Sequence, residues 1–228
     1  MENLVLMRNY SKRDAKEYIW WRSLLHYVSI YCILIPFFKI YYNAKIEGSE
    51  NIPKDESFII ASNHLSAYDP VILSMAVKKP IAFMAKKELF ESSPNMRFWI
   101  DLYGAFSVNR EALEISTIKT AKAIASTKKW ILAMFPQSSR DIPGVITNVT
   151  PGFAYLAKLT GSKILPVAII TTNVQKPKLF EGNLLVKIGK PFEVADNFKD
   201  TMQLWTSVIT DLTGFKLQIE PQKLLHKN

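Results

Sequence analysis

The sequence predicts an α/β fold: a mostly parallel central sheet flanked by helices, with a helical segment placed before it. Two observations carry this. From Asn43 onward, short apolar runs alternate with stretches of helical character, the pattern of strands joined by crossover helices. Several of those runs end abruptly in polar or charged residues, as expected where the carboxyl ends of parallel strands gather chemistry. Composition agrees: 48% hydrophobic and 21% charged residues over 228 positions give ample material for one large core and exclude a disordered chain.

The opening segment differs from the rest. Arg8, Lys12, Arg13, Lys16 and Arg22 lead into the apolar run 24–38, which contains Pro36 and is followed by Lys39. No small-residue cleavage site follows, which argues against a signal peptide. The run is shorter than the roughly 20 apolar residues of a spanning helix, and Pro36 is expected to break it. A bent helical pair lying in a membrane interface accounts best for Tyr18, Trp20, Trp21, Tyr27, Tyr31, Tyr41 and Tyr42, because amphipathic rings favour the headgroup level. A spanning helix and a core-packing hairpin are the competing readings. Cys32, the single cysteine, excludes an internal disulfide and reads as packing.

Beyond residue 43 the strands are expected at 44–47, 58–62, 81–85, 105–108, 130–135, 164–170 and 184–188. Helices are expected at 70–77, 96–102, 111–127, 151–159 and 198–212. No repeat or linker interrupts this part. The chain therefore divides into a membrane-associated segment, 1–43, and one domain, 44–228.

Chemistry concentrates at 58–70. A buried strand ends in Ser62-Asn63-His64, and Asp69-Pro70 then opens an apolar helix, with Asp69 as its expected N-cap. A histidine and an aspartate five apart lie on different faces of a helix, but on a returning loop they can meet. A carboxylate there fixes the imidazole tautomer and favours the imidazolium, as a general base requires. Two other strand ends deliver arginines: Val108-Asn109-Arg110, and Phe135-Pro136-Gln137-Ser138-Ser139-Arg140. Two guanidiniums beside a histidine would clamp a phosphate or carboxylate.

The net charge of +9 calls for an anionic partner. Nucleic acid fits poorly, because the aromatics lie in the apolar N-terminal run and not among the basic clusters. His26, His64 and His226 are too scattered for a zinc site, and no phosphate-binding glycine loop or nucleophile elbow is present.

Asn63-His64-x-Ser66-x-x-Asp69, Gly104…Val108-Asn109-Arg110, Phe135-Pro136-Gln137-Ser138-Ser139-Arg140 and Ile164-Leu165-Pro166-Val167 occur in one order across 44–191. They resemble the four blocks of the glycerolipid acyltransferases, most closely the bacterial 1-acyl-glycerol-3-phosphate (lysophosphatidic acid) acyltransferases. The resemblance implies an acyltransferase domain with His64 as base, Asp69 as its support, and Arg110 and Arg140 binding the substrate phosphate. Asn109, Gln137, Ser138 and Ser139 would line the same site. It implies no cofactor and no metal, with acyl carrier protein or acyl-CoA bringing the acyl group and anionic lipid as the surface. The expected place is the cytoplasmic face of the inner membrane. The third block departs from the usual F-P-E-G-T-R: Gln137 replaces the acid, Ser138 the glycine and Ser139 the threonine. Other readings stay open: a different lysophospholipid acceptor, a serine acyl-enzyme through Ser62 or Ser66, or a non-catalytic lipid-binding protein on the same fold.

Overall fold

A computed structural model describes residues 9–108, 114–127, 129–171 and 184–218. In chain order the main elements are α1 (Trp20–Val28), α2 (Ile35–Tyr42), β1 (Lys45–Glu47), β2 (Phe58–Ser62), α3 (Asp69–Val77), β3 (Ile81–Lys86), α4 (Lys87–Ser92) and α5 (Pro94–Leu102). There follow β4 (Phe106–Val108), α6 (Ile115–Ser126), β5 (Ile131–Met134), β6 (Val145–Ile146), α7 (Gly152–Thr160), β7 (Lys163–Thr171), β8 (Leu184–Ile188), α8 (Phe198–Thr213) and β9 (Lys216–Leu217). Each strand and helix expected from the sequence has a counterpart. The short α4 and the β6–β9 pair were not expected.

The seven-stranded sheet has the order β1-β8-β7-β2-β5-β3-β4. Strands β7, β2, β5, β3 and β4 run parallel, while β8 pairs antiparallel with β7 and carries β1 alongside it. Central strand β2 is buried along its whole length, which is why Phe58-Ile59-Ile60-Ala61 reads as continuous apolar sequence. Ile59 and Ala61 face α6, α7 and α8, in a core with Phe153 and Trp205. Phe58 and Ile60 face α3 and the N-terminal helix, in a core with Leu73, Met75 and Phe38. The indole Nε1–H of Trp205 donates to the Ala61 carbonyl at 3.1 Å, so α8 holds the last turn of β2 from beneath.

The N-terminal run is one continuous 23-residue helix, Trp20–Tyr42, and not two helices. Pro36 does not end it, because the stretch Ser29–Leu34 is a wider π-turn. There the Ile35 N–H already bonds five residues back, to Ile30, so the register has shifted before the proline's missing donor arrives. The π-turn also keeps one stripe on the domain. His26, Ile30, Leu34, Phe38 and Tyr42 recur every four residues, a longer period than the 3.6 of an α-helix. The outer face shows Trp20, Leu24, Tyr31, Ile33, Phe37 and Ile40 to solvent, with Cys32 exposed among them. At about 35 Å the helix is long and apolar enough to cross a membrane, by length and composition alone.

Two basic residues, one before this helix and one in its first turn, point inward. Arg13 is buried, pairs with Asp101 at 2.7 Å and donates to the Ala105 carbonyl. Arg22 donates to the Asp101 carbonyl at 2.8 Å. They fasten the segment to α5 and β4, as do Ser107 N–H to Tyr10 O (2.9 Å) and Tyr18 Oη to Gly104 O (3.1 Å). Edge strand β4 is thereby covered. Gly104, at φ +75°, must be glycine for this closure, since a Cβ would stand 2.7 Å from the Trp130 ring.

Trp205→Phe, which removes the indole donor and some volume, is expected to destabilise the protein by about 1–3 kcal/mol, read by denaturant unfolding.

Candidate active site

At the end of β2 the ladder is continued by a side chain. The amide of Asn63 donates to Ile169 O at 2.8 Å and accepts from Ile169 N–H at 2.7 Å, closing β2 onto β7. The next residue, His64, leaves the sheet at its carboxyl edge. The chain then turns through Leu65, Ser66, Ala67 and Tyr68 into α3.

Asp69 is the first residue of α3, with Tyr68 at the N-cap position, so it does not cap its own helix as expected. Its carboxylate turns back over the loop instead, where nearer donors converge. Oδ2 accepts from His64 Nδ1 at 2.6 Å, Leu65 N–H at 2.6 Å and Ser66 N–H at 2.8 Å. Oδ1 accepts from the Ser66 hydroxyl at 3.1 Å. The carboxylate is 1% exposed, and the positive end of α3 stabilises its charge. Because Nδ1 donates to Asp69, the neutral ring keeps its lone pair on Nε2. That nitrogen has no hydrogen-bond partner among the described residues, on a side chain 15% exposed.

Strand β5 lies beside β2, with Ala61 opposite Met134, and so brings Phe135 level with the histidine. The Phe135 ring stacks on the imidazole at 4.0 Å and 13°, with Phe83 of β3 stacked behind at 6.3 Å. One ring edge is thus fixed by Asp69 and one face by Phe135, while Nε2 stays open.

The loop after Phe135 grips His64 through its backbone. Gln137 Oε1 accepts the His64 N–H at 2.9 Å, and Asp141 N–H donates to the His64 carbonyl at 2.9 Å. Gln137 Nε2 donates to Asp141 Oδ2, which also accepts Thr147 N–H at 2.7 Å. Gln137 is 1% exposed with both ends of its amide engaged, so the side chain expected to line the substrate is instead a brace. Ser138 adopts a left-handed conformation, φ +62°, with its hydroxyl 3.2 Å from that of Thr150. This explains why glycine is usual at that block position in the resembled family. The Ser139 hydroxyl reaches back towards Gln137 O at 3.5 Å, and Arg140 is exposed at the rim beside Asp141. Asn109 and Arg110 lie outside the described residues. Neither serine near the histidine bonds its ring: Ser62 is buried and donates to Asn63 O, and Ser66 donates to Asp69.

Sequence reasoning assigned no role to Phe135, Asp141 or Thr147. Asp141 stood in the same polar run as Gln137, four residues on, but no periodicity fixes where a loop side chain turns.

Fold and site together define an α/β protein with a carboxylate-oriented histidine at the carboxyl edge of a parallel sheet and an arginine at its rim. Residues 43–170, which include His64, Asp69, Gln137 and Arg140, match the Acyltransferase family, and the chain belongs to it. It is 32% identical over 156 residues to a 1-acyl-sn-glycerol-3-phosphate acyltransferase of Streptococcus pneumoniae, covering 68% of this chain and 57% of that one. The same-named protein of Borreliella burgdorferi is 31% identical, over 63% of this chain and 56% of its own. That of Bacillus subtilis is 29% identical, over 67% and 75%. The chain thus spans little more than half the length of the first two. The crystal structure of the 1-acyl-sn-glycerophosphate (LPA) acyltransferase from Thermotoga maritima has the same fold, with a TM-score of 0.66 at 22% identity over 92% of this chain and 86% of that one.

Ser138→Gly is expected to leave the melting temperature unchanged or raise it. Ser138→Val should lower it by several degrees, because a β-branched residue in the left-handed region costs about 1–2 kcal/mol.

Proposed function

We propose that the protein transfers a fatty acyl group from an acyl thioester to the sn-2 hydroxyl of 1-acyl-glycerol-3-phosphate, forming phosphatidic acid. The observation that carries this reading is the His64–Asp69 pair, with Nε2 open at the sheet edge next to the loop that bears Arg140. His64 Nε2 removes the hydroxyl proton as the oxygen attacks the thioester carbonyl. The tetrahedral intermediate collapses, the C–S bond breaks, and the thiolate leaves with the proton from the imidazolium. Asp69 steadies the ring in both charge states. General base catalysis supplies about 10²–10⁴-fold, so positioning and oxyanion stabilisation must supply the rest.

Arg140 binds the acceptor phosphate, together with Arg110 and Asn109 as the resemblance implies. The donor is acyl carrier protein or acyl-CoA, and no cofactor takes part. Residues 1–43 serve as the membrane-facing part and 44–228 as the catalytic domain, at the cytoplasmic face of the inner membrane. The apolar outer face of the N-terminal helix supports this, and α5 also exposes Met96, Phe98 and Trp99. Direct transfer is preferred to a serine acyl-enzyme because both nearby hydroxyls are committed elsewhere. Gln137 supplies no argument for a non-catalytic protein, since it supports the His64 backbone.

Purified protein in detergent is expected to convert lysophosphatidic acid and an acyl thioester to phosphatidic acid. His64→Ala should abolish turnover while keeping the fold, and Asp69→Asn should lower kcat by about 10²-fold or more. Retained turnover in His64→Ala would overturn the base assignment. Arg140→Ala should raise KM for the phosphate-bearing acceptor by about tenfold with kcat little changed; an unchanged KM removes Arg140 from phosphate binding. On vesicles containing anionic lipid, the native protein should co-sediment and Trp20→Ser/Phe37→Ser should remain in the supernatant. Equal sedimentation would remove the helix from membrane contact.

A further inference from the structure

The amide at position 137 has a specific local reason. The His64 N–H needs an acceptor, which Gln137 Oε1 supplies at 2.9 Å. Asp141 Oδ2 takes a donor, which Gln137 Nε2 supplies. Only a side chain with both functions at its tip meets both demands. A glutamate would keep the first bond and set two carboxylate oxygens against each other in a site where residue 137 is buried. Like charges in hydrogen-bond contact cannot both stay ionised away from water.

The pair also has a defined output. Gln137 holds the His64 N–H and Asp141 N–H holds the His64 carbonyl, so one side-chain contact sets both peptide groups of the catalytic residue. Asp141 is anchored in turn by Thr147, whose N–H and hydroxyl donate to it at 2.7 and 2.6 Å. Thr147 follows β6, which β9 pins through Lys216 N–H to Gly144 O and Gln218 N–H to Ile146 O, both 2.9 Å. We infer that Gln137 and Asp141 form an amide–carboxylate pair that positions His64 through its backbone, and that the acid at 141 is what requires an amide at 137. Both are positioning residues, acting on substrate only through His64.

Among the described residues, the charged and titratable groups on the elements next to the pair are His64 and Asp69 at the β2–α3 turn, Arg140 on the pair's own loop and Lys216 on β9. None replaces the lost amide donor in a Gln137→Glu protein, because the contact itself becomes carboxyl to carboxyl. That folded pair takes up a proton that the separate carboxyls of the unfolded chain release near pH ~4. Stability is then greatest at low pH and is lost as pH rises through the titration of the pair.

The test compares native protein, Gln137→Glu, Asp141→Asn and Gln137→Glu/Asp141→Asn in detergent. Melting temperature and steady-state kinetics are followed from about pH 5 to about pH 9. In Gln137→Glu the melting temperature should fall with rising pH by ~5 °C more than in the native protein. Its kcat at the alkaline end, relative to the acid end, should drop about tenfold further than native, with KM within about twofold. The double variant should regain the native pH dependence of both. Its melting temperature should still lie below native at every pH. The amide introduced at position 141 must turn its donor to the carboxylate introduced at position 137, which leaves the Thr147 N–H without its acceptor. Asp141→Asn alone should lower kcat and stability without a new pH dependence.

A Gln137→Glu unfolding profile parallel to the native one overturns the proposal, as does a double variant that keeps the single variant's pH dependence. The kinetic readouts rest on the acyl-transfer reading, whereas the unfolding readouts do not. Absence of turnover in native protein therefore counts against that reading alone, and the melting curves still decide the pair.

Discussion

The Asp69 carboxylate holds the Nδ1–H of His64 and the backbone N–H groups of Leu65 and Ser66 on a single oxygen. Everything else at the site is arranged around that acceptor. A buried carboxylate without donors would be costly, and here the loop is folded so that its own amides meet the cost. The same contacts that make the charge tolerable also fix the ring that needs it. Loop geometry and the orientation of the imidazole therefore have one cause, and neither can be altered separately.

Around this acceptor the sheet acts as a jig. Pairing of β2 with β5 sets Phe135 against one face of the imidazole, and pairing with β7 lets Asn63 seal the exit from the strand. The registers are fixed because β2 is buried on both faces and a slip of one residue would exchange its two apolar sets. Precision at His64 is thus inherited from burial several residues away. The arginine that faces solvent needs no such support, and Arg140 stands on the loop with its side chain exposed.

The sequence was most legible where burial is two-sided. Strands such as Phe58–Ser62 and Ile131–Met134 announce themselves because a central parallel strand has nowhere to put polar residues. The two-residue strands β6 and β9 could not be read, since two residues show no period. Pro36 misled because a proline rule written for α-helices does not foresee a π-turn just before it. The basic residues 13 and 22 were visible as charges, but their partner Asp101 is remote in sequence. The meeting of His64 and Asp69 was implied by their spacing across a turn. The departure at Gln137 was equally visible, but its explanation in Asp141 needed three dimensions, because a loop offers no periodicity from which to aim a side chain.

The supports of the site come from opposite ends of the chain, and this gives its assembly a direction. The apolar helix Trp20–Tyr42 is synthesised first, and His64, Asp69 and Gln137 follow well before Trp205 and Lys216. On a growing polypeptide His64 and Asp69 therefore emerge while α8 does not yet brace Ala61 and β9 does not yet pin the loop through β6. Of the described braces, the last to be synthesised is thus a two-residue strand far in sequence from the residues it steadies.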